Sequence, residues 1–408
     1  MAEPPYKMGR PMKKFSVAVL LSGGAQFSPY YGGALARWSY EVYERLQGQI
    51  DATVFGAPTR PQDLYPLAHE SSAWSRACSM MARVPLLRRY EDFVWLRSLM
   101  PRLGSFEVVH VHNRPQWAHL LRQLGYRGRI LIHLQNDHLG HWTKPMLDGL
   151  AAALDSLVLC STYLHDQFVT KSPALDAKTT VVFNGVNQEL FYPREEVREP
   201  KTVFFVGSLI PAKGPLHLVR AYSRVLEDHR DAKLVIGGSF TFGVDKETPY
   251  IREIRREAES IRQRNGVEIQ FPGYIHHDRD LPSFFQKAAL FSSPSIFQEP
   301  FGLVNCEAMA CATPVVGSNR GGIPEVLADT GRLIDPENEA EYASTLSALL
   351  SDASERARLG HATYERCRTM FDWRVIADIF MTLLENLIGA TTATPQRSQN
   401  AGQRLSAG

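Results

Sequence analysis

Two glutamates stand on either side of a turn-like stretch in the second half of the chain. Glu299 and Glu307 occur in "EPFGLVNCEAMACATPVV", residues 299–316, with a Phe-Gly pair between them. The residues after Gly302 favour a short helix, and the run from Thr313 onward favours a buried strand. The first N–H groups of such a helix have no acceptor within it and are suited to binding a diphosphate. These groups belong to Phe301, Gly302, Leu303 and Val304.

The two carboxylates need partners other than phosphate, because an acid that faced the phosphate would repel it. Carboxylates accept paired hydrogen bonds from vicinal hydroxyl groups. Glu299 and Glu307 could therefore hold one sugar on each side of a diphosphate. The alternative is that both residues only cap and solubilise a helix, and their spacing alone leaves both interpretations open.

A lysine loop offers positive charge for the same ligand. In "FVGSLIPAKGPLHLVRAYSRVL", residues 205–226, an apolar strand ends at Gly207, Ser208 follows, and Lys213 precedes an amphipathic helix. This order places Lys213 at the carboxyl end of a parallel strand, where open α/β sheets bind ligands. A lysine here is either a phosphate-binding cation or an ordinary surface charge, and a nearby anion-binding turn favours the first interpretation.

Three further turns contain glycine. Gly32 and Gly33, in "LSGGAQFSPYYGGALARW", precede a helix where a phosphate can approach the backbone, although their spacing matches neither the dinucleotide-binding motif nor the P-loop. "VVFNGVNQELFYP" contains an Asn184-Gly185 turn. "SNRGGIPEVL", residues 318–327, is either a wall of the same cleft or simply a helix start with proline in its first turn.

The order of apolar and amphipathic segments predicts two α/β domains. Short runs such as "FSVAVLL" and "FEVVHVH" alternate with longer amphipathic stretches, which indicates parallel sheets buried on both faces. The alternation restarts with "TVFFVGS" after the polar stretch 194–201, so we place the domain boundary near residue 198. This gives domains at 1–198 and 199–370, and we expect the small polar residues of 391–408 to be disordered.

Composition narrows the classes of function. The 408 residues include 45 Lys and Arg against 43 Asp and Glu, and the resulting charge of +2 provides no general footprint for nucleic acid. The five cysteines are scattered without a zinc-binding Cys-x-x-Cys pair, which favours free thiols in a reducing cytoplasm. No apolar run approaches the roughly 20 residues that cross a bilayer, so we expect a cytoplasmic protein, soluble or peripheral to a membrane.

Taken together, these motifs resemble the family 4 glycosyltransferases, retaining enzymes of the GT-B architecture. "YYGGALARW" is similar to the amino-terminal Gly-Gly loop of that family, "VGSLIPAKG" to its donor-loop lysine motif, and "QEPFGLVNCEAMACATPVV" to its Glu-x7-Glu motif. The resemblance covers nearly the whole chain. It implies two Rossmann-like, doubly wound α/β domains that face each other across a cleft, with a closing helix at 371–389 that packs back on the first domain.

The resemblance also implies roles for the matching residues. Glu299 would contact hydroxyl groups of the donor sugar, Glu307 would contact the ribose of the nucleotide, and Lys213 would neutralise phosphate. No metal cofactor is implied, because lysine and helix starts stabilise the departing nucleoside diphosphate. The donor-binding set is completed by Gly32, Gly33, Gly207, Ser208, Phe301, Gly302 and Leu303.

Two positions depart from the family pattern. Ser208 stands where the family usually has an arginine, so one phosphate cation is missing unless Arg320 supplies it. Gln135, in "RILIHLQNDHLGHW", stands where the family often has a histidine near the reacting carbon. His133 or His138 could substitute, although a lone histidine in this segment is more often structural than catalytic. The candidate catalytic residues are Glu299, Lys213, His133 and Gln135.

The predicted activity is transfer of a hexose or N-acetylhexosamine from a nucleoside diphosphate sugar to a hydroxyl group. We favour UDP over GDP, and a glycan, lipid-linked or small-molecule acceptor in the synthesis of a cell-surface polysaccharide or glycoconjugate. The resemblance suggests front-face attack with retention, in which a β-phosphate oxygen takes the proton of the acceptor. Two alternatives stay open: a sugar-nucleotide epimerase of the same fold, and a nucleotide-sugar-binding protein with weak catalysis.

One stretch of the first domain that is both basic and apolar is the candidate for contact with the acceptor. "RVPLLRRYEDFVWLRSLMPRLG", residues 83–104, places five arginines among Leu, Phe and Trp in the first domain. We expect either contact with anionic lipid at the inner face of the membrane, or an ordinary helix with a solvated basic face.

Overall fold

The computed structural model contains two α/β units, each built around a parallel sheet. The structure describes residues 14–21, 25–28, 33–71, 85–240 and 246–389. Three sequence-based expectations involve residues outside these ranges: the contact of Gly32, the first part of the 83–104 stretch, and the disorder of 391–408.

Within the described residues, the first sheet has the strand order β3-β2-β1-β4-β5-β6-β7. β4 is buried along its whole length, as expected for a near-continuous apolar run that is covered on both faces. The strands are β1 (Phe15–Leu20), β2 (Ile50–Gly56), β3 (His69–Ser71), β4 (Val108–His112), β5 (Arg129–Leu134), β6 (Ser156–Leu159) and β7 (Thr179–Val181). The helices are α1 (Gly33–Arg45), α2 (Pro85–Leu103), α3 (Trp117–Gln123), α4 (Lys144–Ala153), α5 (Thr162–Val169) and α6 (Pro173–Asp176).

The second sheet has the order β10-β9-β8-β11-β12-β13 within the described residues, and its strands are also parallel. These strands are β8 (Thr202–Val206), β9 (Lys233–Gly237), β10 (Gln270–Gly273), β11 (Leu290–Ser293), β12 (Val315–Ser318) and β13 (Arg332–Ile334). The helices are α7 (Pro215–Asp228), α8 (Pro249–Asn265), α9 (Leu281–Lys287), α10 (Leu303–Ala310), α11 (Ile323–Leu327), α12 (Glu339–Ser351) and α13 (Ala353–Met370).

Both sheets reverse their winding direction at one point. In the first sheet the chain runs outward from β1 to β3 and then returns to place β4 beside β1. In the second it runs outward from β8 to β10 and returns to place β11 beside β8. Open α/β sheets bind ligands beyond the carboxyl ends of the strands at such a switch point. The loops after β8 and β11 carry Lys213 and Glu299.

The last described helix crosses from the second unit back to the first. α14 (Trp373–Gly389) packs on α1, with the Phe380 ring centre 5.0 Å from that of Trp38 and 5.8 Å from that of Tyr43. Just before the helix, Asp372 forms a parallel β-bridge with Val186. The first unit is therefore completed by residues that follow the second in sequence.

The segment between β7 and β8 connects the two sheets. It includes a 3-10 turn at Glu195–Val197, and the boundary proposed near residue 198 lies in this connection. None of the helices in the described part of the chain combines the length and apolar composition that crossing a bilayer requires.

Candidate active site

The lysine loop and the first of the paired glutamates meet at the carboxyl ends of β8 and β11. Lys213 Nζ lies 2.5 Å from Glu299 Oε2, and Ser295 Oγ donates to the same oxygen at 3.2 Å. The ammonium group also lies 4.8 Å from the ring centre of Phe297. The side chains of Lys213 and Glu299 are 29% and 14% exposed. They form a partly shielded ion pair at the switch point of the second sheet, where a polar ligand can reach both charges.

A close backbone contact fixes the lysine loop against the segment that leads to Glu299. Gly214 has a φ of +69°, and a Cβ there would lie 2.0 Å from the carbonyl oxygen of Pro294. Beside it, the N–H of Ile296 donates to the carbonyl oxygen of Ala212 at 2.9 Å. Any side chain at Gly214 would push the two loops apart, so glycine at this position keeps Lys213 within reach of its partner.

The Gly-Gly turn after β12 holds the backbone of Glu299. The N–H of Gly322 donates to the Glu299 carbonyl oxygen at 2.7 Å, and the N–H of Gly321 donates to Gln298 Oε1 at 2.6 Å. A Cβ at Gly321, whose φ is +62°, would lie 2.2 Å from that carbonyl oxygen. The sequence permits a cleft wall or a helix start at 318–327. The structure shows a brace for Glu299 that leads directly into α11.

The turn between the two glutamates leads into α10, as its composition predicts. Because the helix begins at Leu303, the N–H groups of Leu303 and Val304 have no acceptor within the helix and carry the positive end of its dipole, whereas the N–H of Asn305 donates to the Gly302 carbonyl oxygen at 2.9 Å. Gly302 directly precedes the helix, beside Glu299: a Cβ on Gly302 would lie 3.5 Å from Glu299 Cγ. The ring of Phe301 is buried, 5.7 Å from that of Phe371, so a ligand can meet Phe301 only through its backbone.

Glu307 lies within α10, only 3% exposed, and a histidine that sequence reasoning did not single out holds its carboxylate. His277 Nε2 lies 2.6 Å from Glu307 Oε1, and His277 Nδ1 lies 2.5 Å from Asp278 Oδ1. Glu307 Oε2 has no hydrogen-bond partner among the described residues. The protein therefore fixes one oxygen of this carboxylate, and the other is buried without a partner among those residues.

The contacts of His277 define its charge. A carboxylate faces each ring nitrogen, so both nitrogens donate and the ring is an imidazolium. Burial lowers the pKa of His277, but the charge of Glu307 and the hydrogen bonds with both carboxylates outweigh burial and raise this pKa above its ordinary value. Burial raises the pKa of Asp278, and its contacts with His277 and Arg37 reverse that shift and hold the pKa well below its ordinary value.

The lysine loop has Ser208 where the family pattern usually has an arginine, and Arg320 is engaged elsewhere. Arg320 donates to the carbonyl oxygen of Ile296 at 2.6 Å, to Asp335 at 3.0 Å and to Glu337 at 2.5 Å. Two carboxylates thus balance its charge, and its contacts hold the segment that precedes Glu299. Gly207 and Ser208 line a small cavity of about 140 Å³ at the ends of β8 and β9.

The two candidate residues near the end of β5 occupy different environments. His133 is fully buried, with its ring centre 5.0 Å from that of His112 and 4.5 Å from that of Trp38. Burial lowers the pKa of both histidines, that of His112 to about 3, so they are neutral at physiological pH. Gln135 follows the strand, and its Nε2 has no partner among the described residues. Because it follows β5, Gln135 lies nearer than His133 to the carboxyl edge of the sheet.

The helix that follows the amino-terminal Gly-Gly loop reaches the second unit. Gly33 is the first residue of α1 and is exposed. One turn later, an Arg37 guanidinium nitrogen lies 2.6 Å from Asp278 Oδ1. The start of α1 is therefore on the same side of the molecule as His277 and Glu307.

Two doubly wound sheets with ligand-binding loops at their switch points define the GT-B class, the fold of many glycosyltransferases. Comparison with known proteins gives the family. Residues 187–366 match the profile of the family described as glycosyl transferases group 1. Spore coat protein SA of Bacillus subtilis is 30% identical over 318 residues, which cover 73% of this chain and 82% of that protein. The chain belongs to the group 1 glycosyl transferases, and the predicted class of enzyme, a glycosyltransferase, is confirmed.

Other relatives and solved structures agree with this assignment. Alpha-maltose-1-phosphate synthase of Mycobacterium tuberculosis is 34% identical over 312 residues, 66% of this chain and 76% of that protein. The crystal structure of Anabaena HepE in complex with UDP and glucose superimposes with a TM-score of 0.69 at 18% identity, covering 91% of this chain and 100% of HepE. The predicted GT-B fold is confirmed.

Proposed function

We propose that the protein is a retaining glycosyltransferase of family 4 that transfers a hexose or N-acetylhexosamine from a UDP-sugar to a hydroxyl group. The observation that carries the proposal is the 2.5 Å contact between Lys213 Nζ and Glu299 Oε2 beside the start of α10. Three separate segments of the chain thereby bring together a cation for phosphate, a carboxylate for sugar hydroxyl groups and free N–H groups for a diphosphate.

Departure of the nucleoside diphosphate requires positive charge at the diphosphate. Lys213 and the first N–H groups of α10 would stabilise the negative charge that develops on the leaving diphosphate. The proposal needs no metal ion, because these groups supply the positive charge. Lys213 and Ser295 occupy Glu299 Oε2, which leaves Oε1 to accept a hydrogen bond from the donor sugar. A sugar held in this way is oriented for transfer without a protein nucleophile.

Retention would follow from attack on the face that the diphosphate leaves. The bond between the sugar C1 and the diphosphate oxygen breaks as the acceptor oxygen bonds to C1, and a β-phosphate oxygen takes the acceptor proton. The resemblance to family 4 supports this course. Gln135 Nε2, which has no partner in the described part of the chain, is proposed to contact the sugar from the first domain, whereas the burial of His133 supports a core role for that residue.

The choice of UDP is supported by a structural neighbour. HepE, which shares the fold, was solved with UDP and glucose. In this chain, the cavity of about 140 Å³ beside Gly207 and Ser208 lies at the carboxyl ends of β8 and β9. We propose that the nucleoside part of the donor binds there, with its ribose toward Glu307.

The acceptor is proposed to be a glycan, a lipid-linked sugar or a small molecule, in the assembly of a cell-surface polysaccharide or glycoconjugate in the cytoplasm. α2 exposes Tyr90 and Phe93, at 47% and 44%, and Arg97 is exposed one turn after Phe93. Apolar rings beside a cation support contact with an anionic membrane surface. Co-sedimentation with vesicles that contain or lack anionic lipid tests this part, and equal binding to both would contradict it.

One experiment separates transfer from the two alternative functions. The protein is incubated with UDP-glucose, UDP-galactose and their N-acetyl forms, without acceptor and then with simple sugars as acceptors, and the products are followed by NMR. We expect slow release of UDP alone and faster release with an acceptor. An epimerised donor would indicate an epimerase, and binding without any release of UDP would indicate a binding protein.

A further inference from the structure

Four alternating charges join the first unit to the second. Arg37 on α1 donates to Asp278 at 2.6 Å, Asp278 faces His277 at 2.5 Å, and His277 faces Glu307 on α10 at 2.6 Å. Asp278 and His277 lie in the loop that follows β10. The sequence of contacts therefore begins on a helix of the first domain and ends on a carboxylate of the second.

Three of the four side chains are shielded from water, whereas that of Asp278 is 49% exposed. The side chain of Arg37 is 15% exposed and that of His277 is 25% exposed, and the edge of the Phe191 ring packs on His277 at a centre distance of 5.1 Å. Electrostatic contacts are stronger in such surroundings than at an open surface. Within the described residues, the charged groups that act on His277 are Glu307, Asp278 and Arg37.

A buried carboxylate such as Glu307 loses its hydration, and positive charge or hydrogen bonds must replace it. The imidazolium of His277 supplies both, and it also fixes which oxygen is occupied. With Oε1 held by His277, the orientation of Oε2 is defined before a ligand arrives. Asp278 and Arg37 in turn fix the ring of His277, because an imidazolium held at both nitrogens cannot rotate freely.

We propose that His277 is a positioning residue for ribose recognition, and that Arg37 of the opposite domain completes its alignment, so that recognition of the ribose is coupled to contact between the domains. This inference rests on the proposed function, in which Glu307 accepts a hydroxyl group of the nucleotide ribose. His277 itself does not touch the donor. It holds Glu307 Oε2 ready for a hydroxyl group, and separation of Arg37 from Asp278 loosens that arrangement.

The test compares two nucleotides that differ by one hydroxyl group. Titration calorimetry measures the affinities of UDP and 2′-deoxy-UDP for the wild-type protein, His277→Asn and Arg37→Gln. We expect the wild type to prefer UDP by about 10-fold, the usual effect of a hydrogen bond to a charged group. The preference should fall to about 2-fold in His277→Asn and to an intermediate value in Arg37→Gln. His361→Asn, at an exposed position on α13, is the control and should keep the wild-type ratio.

The possible outcomes distinguish failure of the proposed role of Glu307 from failure of the positioning role of His277. If the wild type binds neither nucleotide, or binds both equally, the proposed role of Glu307 in the donor site is wrong. If the wild type prefers UDP and both His277→Asn and Arg37→Gln keep that preference, the positioning role is overturned. Arg37→Gln lies outside the second domain, so it keeps the test decisive even if His277→Asn fails to fold.

Discussion

The carboxylate of Glu325, in the second unit, accepts hydrogen bonds from the backbone N–H of Thr162, in the first unit, at 2.8 and 3.0 Å. Thr162 is the first residue of α5, and the N–H of the next residue also donates to Glu325, at 3.3 Å. A carboxylate at this position accepts hydrogen bonds from free N–H groups, and its negative charge is attracted by the positive end of the helix dipole. Glu325 therefore links the two units as a helix cap that comes from a distant part of the chain.

Removal of this cap should weaken the first domain and its contact with the second. Glu325→Ala is expected to lower the free energy of unfolding by about 1 kcal/mol, the usual loss when a helix cap is removed. Urea denaturation followed by circular dichroism measures the change. Glu385→Ala, an exposed carboxylate on α14, is the control. Equal effects of the two substitutions would show that the contact with Thr162 contributes nothing to stability.

Lys213 should matter for the diphosphate and not for the nucleoside. Lys213→Ala is expected to weaken binding of UDP by about 10- to 100-fold, because a charged hydrogen-bond donor is lost. Binding of uridine should stay the same. Lys144→Ala removes an exposed lysine that pairs with Asp148 and should leave both affinities unchanged. A parallel loss of uridine and UDP binding would mean that the substitution damages the whole site rather than a phosphate contact.

Gly321 and Gly266 form a matched pair for testing the brace of Glu299. Both have positive φ, +62° and +71°, but a Cβ at Gly321 would strike the Glu299 carbonyl whereas a Cβ at Gly266 would meet open space. Substitution by alanine should cost about 1 kcal/mol of stability at Gly266 from backbone strain alone. Gly321→Ala should cost about 1 to 3 kcal/mol more, from overpacking, and should slow UDP-sugar consumption by more than 10-fold. Equal stability and activity of the two variants would contradict the brace.

The raised pKa of His277 gives a pH dependence with a definite sign. An imidazolium that is stabilised by folding contributes its full stability below the unfolded pKa, near 6.5, and this contribution is lost as the pH rises through the folded pKa. The stability difference between the wild type and His277→Asn should therefore shrink as the pH rises from about 6 to about 9. Denaturation at several pH values measures it, with His361→Asn as the reference. A difference that grows with pH would contradict an imidazolium at His277.

Much of the fold could be predicted from local pattern. "TVFFVGS" and "KLVIGG" contain β8 and β9, and the restart of the alternation after 194–201 matches the start of the second sheet. The approach of Lys213 to Glu299 could also be anticipated, because both loops follow strands that are neighbours at a switch point. These features depend on short stretches of sequence and on the regular winding of parallel sheets.

The parts that sequence reasoning missed depend on how distant segments face each other. His277 follows β10 in "YIHHDRD", where nothing distinguishes it from the exposed His276. Its role is visible only once Arg37 and Glu307 are seen on either side. The environment of His133 could not be predicted for a similar reason. The strand pattern shows which residues share a face, but not that the rings of His110, His112 and Trp38 pack around His133.

The most direct test of the account is an NMR experiment on the wild type and Glu299→Gln with a UDP-sugar and a hydroxyl acceptor. We expect the wild type to consume the donor and form a product with the anomeric configuration of that donor. Glu299→Gln should slow consumption by about 100-fold, the loss expected when a polar contact to the reacting sugar is removed, with Glu385→Gln unchanged. A product of inverted configuration would contradict retention. A Glu299→Gln protein as active as the wild type would contradict an active site centred on Glu299 and Lys213.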